Sequence, residues 1–191
     1  MRRHIERLAN SMAVVGGLVL STAIVLVCVS VLGRGANTFA NWDVIETGLS
    51  ALSERLVASG IGPVPGDFEL VEAGMAFTIF AFLPICQLRR GHATVDVFTS
   101  FLPERANRWL IAFWEVCLSA AIALITWRLA AGLQDKMRTE EITFILGFPL
   151  WWAYAASLLA AATATLVALY CAYERVRDAS QSKTDTGELA R

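Results

Sequence analysis

Four long apolar runs separated by polar stretches dominate the pattern of this chain. They cover four ranges, at about residues 12–32, 68–88, 109–129 and 148–170. Each run is about 20 residues long, which as an α-helix is enough to cross a hydrocarbon core about 30 Å thick. The pattern therefore predicts an all-α, integral membrane four-helix bundle, with residues 1–173 as its membrane domain and 174–191 as a polar tail.

The first apolar run allows two interpretations. Arg2 and Arg3 resemble the basic start of a signal peptide. However, the run from Met12 to Leu32 is longer than the apolar part of a usual signal peptide, and no convincing small-x-small cleavage site follows it. A retained membrane span is the favoured interpretation.

Two stretches outside the runs have the spacing of amphipathic helices. Within about residues 43–59, four apolar residues share one helical face: Ile45, Leu49, Leu52 and Leu56. Within about residues 94–102, a similar spacing occurs at Val97, Phe98, Phe101 and Leu102. Each stretch predicts a short helix along the membrane surface, and the first one is equally suited to contact a partner.

Composition supports a membrane protein and excludes several function classes. Apolar residues make up 56% of the 191 residues, and the net charge of −1 gives no case for nucleic-acid binding. Each of the four cysteines lies in a different apolar run, without metal-ligand spacing. They are interpreted as small apolar fillers, with disulfides or a metal site as the alternative. No nucleophile stands in a recognisable catalytic arrangement, so we predict neither an enzyme nor a cofactor.

Lys and Arg are unevenly distributed between the two sides of the membrane. One side carries the termini and residues 87–98, here called the elbow, and it has roughly twice as many basic residues as the loops on the other side. By the positive-inside rule, both termini and the elbow are predicted to be cytoplasmic.

Acidic residues near or within the spans bear on function. Glu69 and Glu72 share a face at the start of the second span, where interfacial capping is favoured over a cation site. Glu115 lies about 9 Å into the third span, at 1.5 Å per residue. An acid at that depth is costly unless it is paired, protonated or in polar surroundings. We favour a structural hydrogen bond or pair for Glu115, with a proton or ion site as the alternative.

Small residues recur at every fourth position of the fourth run: Ala156, Ala160, Ala164 and Ala168. In lipid, such a stripe allows helices to approach closely. The pattern leaves open whether the stripe packs within the bundle or against a partner.

Two short segments carry a family resemblance. The elbow contains an Arg-x-Gly-His-x-x-Val-Asp segment formed by Arg89, Gly91, His92, Val95 and Asp96. The fourth run opens with Phe148-Pro149-Leu150-Trp151-Trp152, in which Pro149 and Trp151 form a Pro-x-Trp pair. Together with the four-span layout, these segments resemble the DctQ-type small membrane subunit of TRAP (tripartite ATP-independent periplasmic) transporters, over roughly residues 10–173.

This resemblance implies an accessory scaffold in the bacterial inner membrane. The implied partners are a large multi-span permease subunit, which carries the substrate and sodium sites, and a periplasmic solute-binding protein, with membrane lipids around the bundle. The implied activity is sodium-driven uptake of an organic acid. The alternative is a self-sufficient proton-coupled exporter that uses Glu115. A haem-binding redox subunit is disfavoured because His4 and His92 both lie outside the spans.

Overall fold

The computed structural model describes residues 2–40, 64–89 and 104–188. Four α-helices account for most of them: α1 (Arg2–Ala40), α2 (Asp67–Leu88), α3 (Glu104–Thr139) and α4 (Trp151–Glu188). Each contains a segment that is long and apolar enough to cross a membrane. Across the described ranges, the only extended pairing is a single bridge between Ile142 and Pro149. The predicted all-α, four-span fold is confirmed.

The helix ends differ from the predicted spans in ways that the loop chemistry explains. The fourth helix begins at Trp151 rather than at Phe148. The residues before it close a tight loop, in which Thr143 N donates to Phe148 O at 3.0 Å and Leu150 N donates to Glu141 O at 2.9 Å. At its other end the helix continues to Glu188, so the polar tail predicted from residue 174 begins as further turns of α4.

Several sequence-based predictions fall outside the described residues. They are the two surface helices, at about residues 43–59 and 94–102, and four positions of the elbow motif: Gly91, His92, Val95 and Asp96.

The helices are arranged in a row, in the order α1, α2, α4, α3. Helix α4 packs against α2 and α3 and also touches α1, whereas α1 packs mainly against α2. Within the described ranges, the backbones of α1 and α3 do not approach each other, and neither do those of α2 and α3. Along the helix axes, one end of the bundle carries residues 140–150, the α3–α4 loop, and is here called the loop end. The opposite end, where α2 stops at Leu88 and α3 begins at Glu104, is the elbow end.

Small side chains make the contact between α3 and α4 close. Ala164 and Ala168 are buried with Ile122 in one apolar cluster, against which Leu83 and Leu118 pack. Hydroxyl groups join the same two helices: Thr126 Oγ1 lies 2.8 Å from Thr165 Oγ1, and Ser119 Oγ donates to Ala168 O at 3.0 Å. Three members of the small-residue stripe, Ala160, Ala164 and Ala168, are therefore used within the chain, whereas Ala156 is exposed.

A glycine allows α1 and α2 to approach closely. A Cβ atom built on Gly16 would lie 2.9 Å from Ala81 Cβ, which is closer than packed carbon atoms tolerate. The neighbouring Gly17 has nothing within 4 Å of the equivalent position.

We expect Gly16→Ala to destabilise the α1–α2 contact by about 1–3 kcal/mol, the usual cost of overpacking. Gly17→Ala is the matched control, because both changes bring the same gain of about 1 kcal/mol in helix propensity. The unfolding midpoint of each variant is measured by adding increasing amounts of SDS to the detergent-solubilised protein. Equal midpoints for the two variants would contradict the close approach.

Candidate functional site

A carboxylate at the start of α2 holds the end of α1. Asp67 is 9% exposed, and its Oδ2 accepts hydrogen bonds from Ser30 Oγ and Arg34 Nη2, each at 2.5 Å. Its other oxygen, Oδ1, accepts from the Phe68 backbone N–H at 2.8 Å. Ser30 and Arg34 are one helical turn apart on α1, so both reach the same oxygen. This cluster fixes the position of α1 against α2 at the loop end.

A second carboxylate at the start of α2 holds the α3–α4 loop. Ile145 N donates to Glu69 Oε1 at 2.8 Å, and Leu146 N donates to Glu69 Oε2 at 3.0 Å. The loop also packs tightly against the residue that precedes α2. Gly66 has φ +72°, and a Cβ atom at that position would lie 2.5 Å from Leu146 Cγ. Glu69 therefore caps the backbone of a distant loop rather than its own helix.

The same loop is joined to the end of α3 by an ion pair. Lys136 Nζ donates to Glu141 Oε2 at 2.5 Å. This hydrogen bond holds the pKa of Glu141 below its ordinary value. Glu69 on one side and Lys136 on the other thus anchor both halves of the loop.

Between these anchors the loop presents apolar side chains. Phe144 is fully exposed, and Ile142 and Ile145 are more than half exposed. Trp151 and Trp152 follow at the start of α4, with their rings edge to face at 6.0 Å. Aromatic residues in such positions are typical of the membrane–water interface. The loop end therefore presents a fixed apolar edge at the level where the spans leave the membrane.

We expect Glu69→Gln to loosen the α3–α4 loop without unfolding the bundle. Glutamine keeps one acceptor oxygen but loses the second oxygen and the negative charge, so at least one of the two loop amides loses its partner. Amide hydrogen exchange at Ile145 and Leu146 should become several-fold faster. Glu72→Gln is the matched control, one helical turn away and without a bond to these amides. Unchanged exchange in Glu69→Gln would show that the carboxylate does not hold the loop.

The intramembrane acid Glu115 has a hydrogen-bond partner inside the chain. Gln87, which is 3% exposed, donates from Nε2 to Glu115 Oε1 at 2.7 Å. This bond joins α2 to α3 across a gap that their backbones do not close. The bond lies close to the elbow end. There Gln87 lines a polar cavity of about 450 Å³, together with Glu6, Arg89, Glu174 and Arg175.

The motif residues that the structure describes lie at opposite ends of the bundle, some at the elbow end and some at the loop end. Arg89 is exposed just after α2, and its backbone N–H bonds to Ile85 O at 3.0 Å. Pro149 and Trp151 lie at the loop end, where the α3–α4 loop meets α4. The two segments therefore do not form one site. Among the described residues, no group of His, Cys, Asp and Glu is arranged to hold a metal ion.

Comparison with known protein families identifies a match over most of the chain. A family model described as "Tripartite ATP-independent periplasmic transporters, DctQ component" matches residues 23–178, which include parts of all four helices. No curated protein matches the chain, and no solved structure matches it.

Proposed function

Because this chain belongs to the DctQ family and is a small permease component of a tripartite ATP-independent periplasmic transporter, we propose that it braces the large permease subunit. In this proposal the complete transporter carries out sodium-driven, binding-protein-dependent uptake of an organic acid. The chain is a multi-pass inner-membrane transporter component and not an enzyme.

The observation that carries the bracing role is the way polar groups at membrane depth are used. Glu115 bonds to Gln87, Ser119 bonds to the α4 backbone, and Thr126 bonds to Thr165. Each of these contacts joins two helices of the bundle to one another. A brace needs such internal contacts, whereas a transport core needs unwound helices that expose binding groups to a solute.

The edges of the row supply surfaces for a large membrane partner. Helix α1 carries a nearly continuous apolar surface, and the elbow half of α3 exposes Trp109, Phe113 and Trp114. Because α1 packs mainly against α2 and α3 packs mainly against α4, each leaves a broad face that lipid or another subunit can cover. We infer that the large subunit covers one of these faces.

Orientation follows from charge. We propose that the elbow end faces the cytoplasm, since the basic residues are concentrated there. The α3–α4 loop then faces the periplasm, on the side from which the solute-binding protein approaches. In the same proposal Arg89, Gly91, His92, Val95 and Asp96 form a structural corner at the cytoplasmic surface and bind no substrate.

The proposal is tested by uptake into sealed proteoliposomes under a sodium gradient. The vesicles contain the small subunit and the large subunit, the binding protein is added outside, and each component is omitted in turn. Candidate organic acids are supplied as radiolabelled mixtures. We expect uptake only with all three proteins, and no uptake by the small subunit alone.

Glu115→Gln separates the brace from the exporter hypothesis. A brace should retain most of its support for uptake, because glutamine can still accept a hydrogen bond from Gln87. Proton-driven transport by the small subunit alone, abolished by Glu115→Gln, would overturn the proposal.

A further inference from the structure

A crevice at the loop end has the form of a lipid site. It has a volume of about 240 Å³ and lies over α4, in the gap between α2 and α3. Its deep part is lined by Ala76 and Phe80 from α2 and by Leu129 from α3. Its mouth is lined by Glu69 and Glu72 from α2 and by Tyr154 from α4. One end of the crevice is thus acidic and the other is apolar.

The crevice covers a depth along the helix axes that matches one leaflet of a bilayer. At 1.5 Å per residue, Glu72 lies about 8 Å from the start of α2, and Phe80 lies about 20 Å from it. Leu129 lies about 15 Å from the end of α3 on the same scale. One leaflet of the hydrocarbon core is about 15 Å thick. The crevice therefore runs from the surface of one leaflet toward the middle of the membrane.

Two polar groups in the crevice are available to a ligand. Ser157 is 2% exposed and lines the crevice, and its Oγ has no hydrogen-bond partner in the protein. Glu72 is exposed to the crevice mouth and has no bond to the loop amides, which are held by Glu69. A buried hydroxyl without a partner is costly, so an acceptor supplied from outside the chain would stabilise it.

We propose that the crevice binds one phospholipid with a primary-ammonium headgroup. Its ammonium group lies at Glu72, an ester oxygen accepts the hydrogen bond of Ser157, and one acyl chain passes between Phe80 and Leu129. The acidic mouth favours a cationic amine and disfavours an anionic glycerol headgroup. A bound divalent cation is a poorer fit, because Glu69 is already engaged and Glu72 alone offers too few oxygen ligands.

A bound lipid of this kind would join α2 to α3 where their backbones remain apart. At the elbow end, the bond between Gln87 and Glu115 makes the same connection from within the chain. The lipid thus connects α2 to α3 at the loop end. This role does not depend on which solute the transporter carries.

The test uses native mass spectrometry of the full chain, alone and in complex with the large subunit. The probes are phosphatidylethanolamine and phosphatidylglycerol with identical acyl chains. We expect one tightly retained phosphatidylethanolamine, bound at least several-fold more strongly than phosphatidylglycerol. Glu72→Gln should remove most of that preference while the chain stays folded. Ala76→Phe, which fills the crevice, should release both lipids.

The matched control is the crevice between α1 and α2, which is lined by Leu18, Ala23 and Gly74 and has no acidic residue. Ala23→Phe in that crevice should leave the headgroup preference unchanged. An equal affinity for the two lipids, or a preference that survives Glu72→Gln, would overturn the proposal. Loss of the lipid when the large subunit binds would also overturn it, because a basic side chain of that subunit would then be the occupant.

Discussion

Replacing Gln87 by leucine is expected to destabilise the bundle by about 1–3 kcal/mol, the usual cost of leaving a buried polar group without its partner. Gln87 donates to Glu115 at 2.7 Å, and this hydrogen bond joins α2 directly to α3. Leucine has a similar volume but no donor, so the half-buried Glu115 side chain loses that bond within its membrane span. SDS-induced unfolding in mild detergent, followed by circular dichroism, measures the change.

A double-mutant cycle makes this expectation specific. Glu115→Leu removes the acid, and the double variant Gln87→Leu with Glu115→Leu replaces both partners by apolar groups. The double variant should be more stable than Gln87→Leu alone, because no buried group is then deprived of its bond. Gln134→Leu, at an exposed position of α3, is the control for a change from glutamine to leucine. Additive effects of the two single changes would mean that the pair does not act as a unit.

Ala164→Leu is expected to separate α3 from α4 and to destabilise the bundle by about 1–3 kcal/mol through overpacking. Ala164 is 1% exposed and packs in the same cluster as Ile122 and Ala168. In lipid, helices associate through close packing and hydrogen bonds rather than through an apolar driving force. A leucine that holds the helices apart would also lengthen the hydrogen bond between Thr126 and Thr165.

The control for Ala164→Leu lies two residues away. Ala162 is exposed on the opposite side of α4, so Ala162→Leu adds the same volume toward lipid. Helix propensities of alanine and leucine are close, and the two variants therefore differ mainly in packing. Unfolding midpoints and the yield of complex with the large subunit should fall for Ala164→Leu only. A similar loss in both variants would show that helix packing at Ala164 is not the cause.

The spans were predictable from sequence because lipid demands about 20 apolar residues in each crossing helix. The order of the helices was not, since residues that face lipid and residues that face other helices are equally apolar. Leu159 and Val167, for example, are both aliphatic residues of α4, yet the first is exposed and the second is buried. Periodicity alone could not show that α4 lies between α2 and α3.

Polar partners were harder to predict than polar positions. Glu115 stands out as an acid within an apolar run, but Gln87 appears in sequence as the first residue of a polar elbow. Asp67 and Glu69 could be recognised as acids near a helix start. Their actual partners, Arg34 on α1 and the backbone of Ile145 in the α3–α4 loop, depend on the arrangement of helices. No spacing rule within a single helix reports such contacts.

The central place of α4 has a consequence for biogenesis. The ribosome delivers the four helices in chain order, and α1 and α2 can pair as soon as both have left the insertion machinery. Among the described parts of the earlier helices, α3 has no comparable packing partner and is linked to α2 by the bond between Gln87 and Glu115, so most of its packing forms only when α4 arrives. A nascent chain stalled before Trp151 would therefore hold a packed α1–α2 hairpin and a third helix that lacks its main packing partner.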